Sequence, residues 1–269
     1  MSSESVALLR EYLHQQVALG HQHVLLRPTA KESMVGLGKT KRSGTQTSTL
    51  PDTPAGSSTK SAKLQAIARE AEEATAPRAL GTLRTTMVFA TGNPDADIML
   101  IGEAPGAEEE KQGEPFVGPA GQLLNRIITA MGLKREAVYI SNICKFRPAM
   151  ENQRTGNRQP TAAEMESCLP FILSEIEIVQ PKVIIALGAT ACAGLGIEGS
   201  VGKNRGRLHE KFQVPVVVTY HPSYLLRQEE EQDRGITAKR QSWEDFMLAM
   251  ETVGLPINEK QRNYFKARL

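Results

Sequence analysis

Four short apolar runs, Ile98 to Ile101, Val138 to Ile140, Val183 to Leu187 and Val216 to Val218, are separated by segments of helical periodicity. Runs this short suit strands, and because they are apolar at successive positions, both of their faces must be covered. The intervening helical patterns, at about 120–131, 162–178 and 189–195, supply the cover. Strand and helix in alternation predict an α/β fold: a three-layer α/β/α arrangement around a central, mainly parallel four-stranded sheet. Ligands in such a sheet bind at the carboxyl ends of the strands. Thr161 and Glu164 form a capping-box pattern after Pro160, and a last helix is expected from about Ser242 to Val253.

The remaining chain reads differently. Val6, Leu8, Leu9, Leu13, Val17 and Leu19 fall near helical spacing, which predicts an N-terminal helix within residues 1–27. Residues 28–63 are rich in Ser, Thr, Gly, Pro and Lys and hold no aromatic residue, so they cannot bury enough surface to fold alone. They are expected to form a flexible linker, and residues 64–269 the folded domain, entered by a short helix from about Ala62 to Ala74. The excess of Lys and Arg over Asp and Glu is 32 − 30 = +2, so a polyanion would have to be held by a local patch and not by bulk charge. No apolar stretch approaches the roughly 20 residues of a spanning helix. Residues 1–20 carry Glu4, Arg10 and Glu11 and offer no continuous hydrophobic centre, so the cytoplasm is the expected compartment. Cys144, Cys168 and Cys192, odd in number and widely spaced, fit reduced thiols and cannot supply a four-thiolate metal site.

Small and polar residues cluster where the strands should end. Gly102-Glu103-Ala104-Pro105-Gly106 follows the first run, and Gly113-Glu114-Pro115-Phe116-Val117-Gly118-Pro119-Ala120-Gly121 comes soon after. So many glycines imply backbone held close to a ligand. The second run leads into Ser141-Asn142, and the fourth into His221-Pro222-Ser223-Tyr224-Leu225-Leu226. A parallel sheet would bring Glu103, Asn142 and His221 to one edge. Two other readings stay open: Gly102 to Gly106 also suits a tight turn or a nucleotide-binding loop, although neither GxGxxG nor a P-loop lysine is present. The run Glu108 to Glu110 is expected to be a solvated face.

Taken together, GEAPG, GEPFVGPAG, YISNICKFRP, GNRQP and HPSYLL resemble the motifs of the uracil-DNA glycosylase superfamily, and most of all its fourth, iron-sulfur-bearing family, over about Thr86 to Met250. The resemblance implies an enzyme that flips deoxyuridine out of DNA and hydrolyses the N-glycosidic bond, with uracil-containing DNA as partner and a monomeric state. It implies catalytic roles for Glu103, which would orient water, and for His221, which would donate to uracil O2. Phe116 would stack on the everted base and Asn142 would read its edge, with Ala104, Gly106 and Ser223 lining the site. Leu225 would fill the gap in the base stack, and Pro222, Arg227 and Arg158 would meet the DNA.

The chain also departs from that family. Its pattern holds a 4Fe-4S cluster on four cysteines, two of them as C-x-x-C before the first strand. Residues Ala74 to Leu80 contain none, Phe146 stands where the third is expected, and only Cys168 matches the fourth. One ligand in four cannot hold a cluster, so no cofactor and no metal is expected, with Phe146 packing in the gap. A related group bonds covalently to its substrate through a histidine in a KRRIH-like loop. The matching segment, Arg147 to Pro160, holds Arg154, Asn157 and Arg158 but no histidine, so ordinary turnover is expected. A uracil- or damage-binding protein without turnover is the alternative. No partner for the N-terminal extension is legible.

Overall fold

In the computed structural model, which describes residues 57–230 and 234–265, the chain begins with α1 (Ser57–Glu73) and α2 (Thr75–Ala79). Then come β1 (Leu83–Met87), β2 (Thr91–Gly92), β3 (Ile98–Gly102), α3 (Ala107–Gln112) and α4 (Pro119–Ala130). A 3-10 turn leads to β4 (Tyr139–Asn142), β5 (Phe146–Pro148) and α5 (Ala162–Val179), followed by β6 (Val183–Leu187), α6 (Ala189–Gly194) and α7 (Val201–Asn204). The chain closes with β7 (Leu208–Lys211), β8 (Val214–Thr219), α8 (Pro222–Arg227), α9 (Ile236–Thr252) and α10 (Glu259–Arg262). The chain divides into two units, Met1–Asp52 and Thr53–Leu269. The helix expected over 1–27 and most of the segment 28–63 lie outside the described residues.

The four apolar runs are the parallel strands β4, β3, β6 and β8, in that spatial order. Alternate side chains serve opposite faces, as the strand period requires. Met99, Ile101, Ile184, Ala186, Val216 and Val218 pack with α5 and α6 residues such as Ile172, Ile176 and Ala191. Ile98, Leu100, Val183, Ile185, Leu187 and Val217 pack with Leu124 and Ile128 of α4 and with Trp243 and Phe246 of α9. The three layers are therefore the expected ones. Sequence periodicity did not reveal two antiparallel edge strands, β2 on β4 and β7 on β8, which make the sheet six-stranded. Their reason is visible in β7, Leu-His-Glu-Lys, whose exposed Leu208 and charged residues suit an edge facing water and leave no apolar run to read. β1 and β5 form a separate two-stranded ribbon.

Helix limits follow tertiary contacts. α5 starts at the expected cap, where Thr161 Oγ1 accepts from Glu164 N (3.2 Å) and Glu164 Oε2 accepts from Thr161 N (2.7 Å). α1 begins at Ser57, earlier than the expected start near Ala62, and Lys60 in its first turn explains the extension. The Lys60 ammonium donates to the Val179 carbonyl at the end of α5 (2.9 Å) and pairs with Asp95 (3.2 Å), a cation placed at the negative end of a long helix. α9 likewise starts before Ser242, its first turns held by Lys239 on Glu229 (2.8 Å). No helix among the described residues is long and apolar enough to cross a membrane.

One ion pair lies wholly inside this frame. Lys145 and Glu175 are both fully buried and in contact; Lys145 Nζ also donates to Ser141 Oγ (2.7 Å) and the Asn142 carbonyl (2.9 Å), while Tyr139 Oη donates to Glu175 Oε2 (3.1 Å). Breaking such a pair strands a charge without water. Glu175→Ala is therefore expected to lower the unfolding free energy by about 3–5 kcal/mol in a urea titration, while Glu175→Leu combined with Lys145→Met recovers most of the loss.

Candidate active site

At the carboxyl edge of the sheet the strands end in residues chosen for close approach. β3 and β4 run in register, Gly102 opposite Asn142. A Cβ at Gly102 would come within 2.4 Å of both Asn142 Oδ1 and Phe116 Cζ, so only glycine lets the amide and the ring meet there. Phe116 holds a left-handed backbone conformation, φ 55°, which an aromatic residue rarely adopts. The contact behind it sustains that strain: α4 lies so close that a Cβ on Gly121 would stand 1.9 Å from the Phe116 carbonyl oxygen. The Phe116 ring belongs to the core on one side and walls the site on the other.

Glu103, Ala104, Gly106, Phe116, Asn142, His221 and Ser223 line one cavity of about 150 Å³. That volume is of the order that accommodates a single benzene-sized ring. Asn142 is 2% exposed and its Oδ1 accepts no hydrogen bond. A buried acceptor in that state costs free energy unless a ligand donates to it. The Phe116 and His221 rings stand 5.7 Å apart at 31°. His221 caps α8, with its Nδ1 accepting from Ser223 N (3.1 Å) and lying 2.8 Å from Ser223 Oγ. Because a backbone amide can only donate, Nδ1 carries no proton and the neutral ring bears its N–H at Nε2. Burial and then the charge of Arg227 push the His221 pKa down to about 4. A neutral imidazole donor therefore stands in the site through the physiological range. The Glu103 carboxyl, by contrast, titrates above its usual range because burial outweighs the hydrogen bond from Thr190 and the charge of Arg227.

Several functional positions were not legible beforehand. Glu109, read within a solvated face, ties the two glycine-rich loops together: its Oε1 accepts from Val117 N (3.0 Å) and Gly118 N (2.9 Å), its Oε2 from Gly106 N (3.2 Å). Glu110 is also engaged, with Arg84 (2.5 Å) and Arg147 (3.0 Å), so of the three only Glu108 faces water. Glu109 stands three residues after a glycine cap, a capping-box spacing that could have marked it. Thr190 and Gly188 come from the carboxyl end of β6, the one parallel strand whose terminus was not read for function. Gly188 has φ 92°, and a Cβ there would lie 2.9 Å from that of His221.

Three expected DNA contacts need revision. Leu225 is 1% exposed and Pro222 is also buried, because on this six-residue helix these positions face the protein while Ser223 and Arg227 face outward. Arg158 borders the cavity, but all five of its N–H groups have partners: Ala149 O, Gln159 O, Thr82 O and both oxygens of Glu164. It holds its own loop and has no donor left for phosphate. Arg227 is exposed, and its charge reaches both His221 and Glu103. Among the described residues no group of three or more His, Cys, Asp or Glu could hold a metal ion.

Comparison with known proteins gives the family. A family model described as the uracil DNA glycosylase superfamily matches residues 89–247. The type-4 uracil-DNA glycosylase of Thermotoga maritima is 46% identical over 150 residues, 54% of this chain and 73% of that protein. That of Archaeoglobus fulgidus is 37% identical over 152 residues, 53% of this chain and 73% of its own. The type-5 uracil-DNA glycosylase of Pyrobaculum aerophilum is 30% identical over 152 residues, covering 50% and 64%.

The unfolded imidazole titrates near 6.5 and the folded one near 4, so between those values the unfolded chain binds the extra proton and stability falls as pH falls through that window. Nitrogen-15 NMR of His221 should report the Nε2–H tautomer and a titration midpoint near pH 4. A midpoint at the ordinary value would remove the neutral donor.

Proposed function

The chain belongs to the uracil-DNA glycosylase superfamily, and on that footing we propose that it is a monofunctional uracil-DNA glycosylase of base excision repair, acting on deoxyuridine everted from DNA. The observation that carries the assignment to uracil is the unpartnered Asn142 Oδ1 beside a ring-sized slot. Uracil offers N3–H to that oxygen and O4 to the amide nitrogen. Cytosine presents an unprotonated N3 and an amino group, so acceptor would meet acceptor and donor would meet donor. A site that leaves buried polar groups unpaired can discriminate by about 10⁴–10⁵-fold.

Phe116 supplies a π-face on which a base can lie without regard to sequence. As the C1′–N1 bond breaks, its electron pair moves into the base and accumulates on O2, while the sugar becomes oxocarbenium-like. The Nε2–H of His221, aimed in advance and uncharged, stabilises that oxygen without a proton having to be transferred. Glu103, with Oε2 taken by Thr190, keeps Oε1 for the attacking water. Its raised pKa makes it the stronger base, and its charge offsets that of the sugar. Water adds to C1′, its proton passes to the carboxylate, and uracil leaves as an anion that is protonated in solution. Among the described residues no lysine lines the cavity to form a Schiff base, so the DNA strand is left intact at an abasic site.

DNA contact falls to exposed Arg227 and, in place of buried Leu225, to Leu226, which lies on the same face of α8 as Ser223. The residues do not fit a 4Fe-4S cluster. The fold-family group needs four thiolates, whereas Phe146 fills the core with the Arg78 guanidinium 5.8 Å from its ring centre, and the nearby Cys144 thiol is raised above its ordinary range by its hydrogen bond to Cys168 and by burial. We place the enzyme in the cytoplasm as an iron-free monomer.

Incubation with an excess of a uracil-containing oligonucleotide should release free uracil over many turnovers, from protein without iron or visible absorbance. Tight binding without release would favour a non-catalytic damage binder. His221→Ala is expected to slow the chemical step by about 10²–10³-fold with little change in DNA affinity, as loss of one oxyanion donor does elsewhere. Asn142→Asp should erode the preference for uracil over cytosine, measured as the ratio of excision rates.

A further inference from the structure

The Asn142 carboxamide hangs from the last residue of β4, and its direction is set by the peptide that follows. The N–H of that peptide, on Ile143, donates to the Gly102 carbonyl (3.0 Å) and so is held by β3. Its carbonyl end has no such strand, because β2, the other neighbour of β4, pairs only with Tyr139 and Ile140. Lys145 supplies the missing donor. Its Nζ donates to the Asn142 carbonyl (2.9 Å) and to Ser141 Oγ (2.7 Å) and touches Glu175 Oε1, three acceptors for three N–H bonds. Glu175, on α5, is steadied in turn by the Tyr139 hydroxyl (3.1 Å). Lys145, Ser141 and Glu175 are all 0% exposed, so bulk water does not compete for these partners. The Phe89 ring lies against the ammonium, its centre 5.2 Å away.

We infer that Lys145 is a positioning residue for base recognition: by holding the Asn142 carbonyl, its ammonium fixes the direction in which the Asn142 carboxamide meets the edge of the everted base. The inference rests on the glycosylase reading above and adds to it a residue that touches no substrate. Stability does not call for an ion pair at this place, since well-packed apolar side chains of similar volume serve as well. What they cannot do is donate to the Asn142 carbonyl. With Lys145 removed, the peptide between Asn142 and Ile143 keeps one bond of two, and its carbonyl is left buried without a donor. A turn of that peptide moves Oδ1 away from the position in which it meets N3–H. A misplacement of about 1 Å can cost about 100-fold in rate.

The paired variant Lys145→Met/Glu175→Leu, expected above to recover most of the stability, separates positioning from folding. In single-turnover excision from a uracil-containing oligonucleotide it should lose about tenfold or more in rate, at a melting temperature near that of the parent, and free uracil should inhibit it more weakly. A double-mutant cycle adds a readout that a structural role would not move. In an Asn142→Ala background the paired change should cost nothing further, because the group it positions is gone; in a His221→Ala background it should cost the full factor. A parent-like paired variant, or the same loss with and without the Asn142 carboxamide, would overturn the inference. Should the paired variant not fold, Lys145→Met alone takes its place under the same criteria, since buried Glu175 keeps the Tyr139 hydroxyl and can take up a proton. A parent protein that excises no uracil would instead overturn the glycosylase reading.

Discussion

The missing side chain at Gly102 governs the site. β3 and β4 pair in parallel register up to Gly102 and Asn142, and only because the first of these carries no Cβ can the Asn142 amide and the Phe116 ring occupy the same few ångströms beyond the strand ends. Everything else at this edge is arranged around that approach. Gly121 admits the Phe116 backbone against α4, Gly188 admits His221 beside β6, and Glu109 ties both glycine-rich loops through three backbone amides. Glycines here trade backbone entropy for proximity, and a packed sheet beneath them keeps the geometry from relaxing.

A second theme is the use of charge to hold neutral groups. The two groups suited to meet the base, Asn142 and His221, are uncharged, and burial keeps His221 so. Charged residues stand one step behind. Lys145, paired with Glu175, donates to the Asn142 carbonyl; Arg147, paired with Glu110, orients Asn157; Arg158, paired with Glu164, saturates its loop. Buried ion pairs contribute little net stability against apolar substitutes, but their fixed directions make them effective clamps. Neutral donors fixed in a small cavity then act on developing charge without having to reorganise.

The region of Phe146 is held together by side-chain packing. A ring and a guanidinium stack between α2 and β5, and the thiols of Cys144 and Cys168 lie among Ile143, Leu169 and Ile172 in an apolar core. Packing of this kind ties α2, β5 and α5 together.

Chemistry-bearing residues were legible where they follow apolar runs. Glu103, Asn142 and His221 each end a strand that announces itself by continuous hydrophobicity, and alternation with helices implies parallel strands whose carboxyl ends coincide. Phe116, Gly106 and Ser223 were assigned by the family resemblance, within segments that glycine density and strand ends had marked. Glu109, Thr190 and Lys145 were not, because a glutamate in an acidic run, a threonine in a small-residue helix and a lysine between apolar residues look like surface until their partners are known. Leu225 misled for a related reason: on a helix of six residues, one residue of offset decides between solvent and core, and sequence spacing alone does not define the phase. Local periodicity thus determined the layers, the parallel strands and the edge where chemistry belongs, since these depend on neighbours in the chain. Which side chains point inward and which arginines are already spent depend on partners far apart in the chain, 87 residues in the case of Glu103 and Thr190, and only the folded arrangement brings those together.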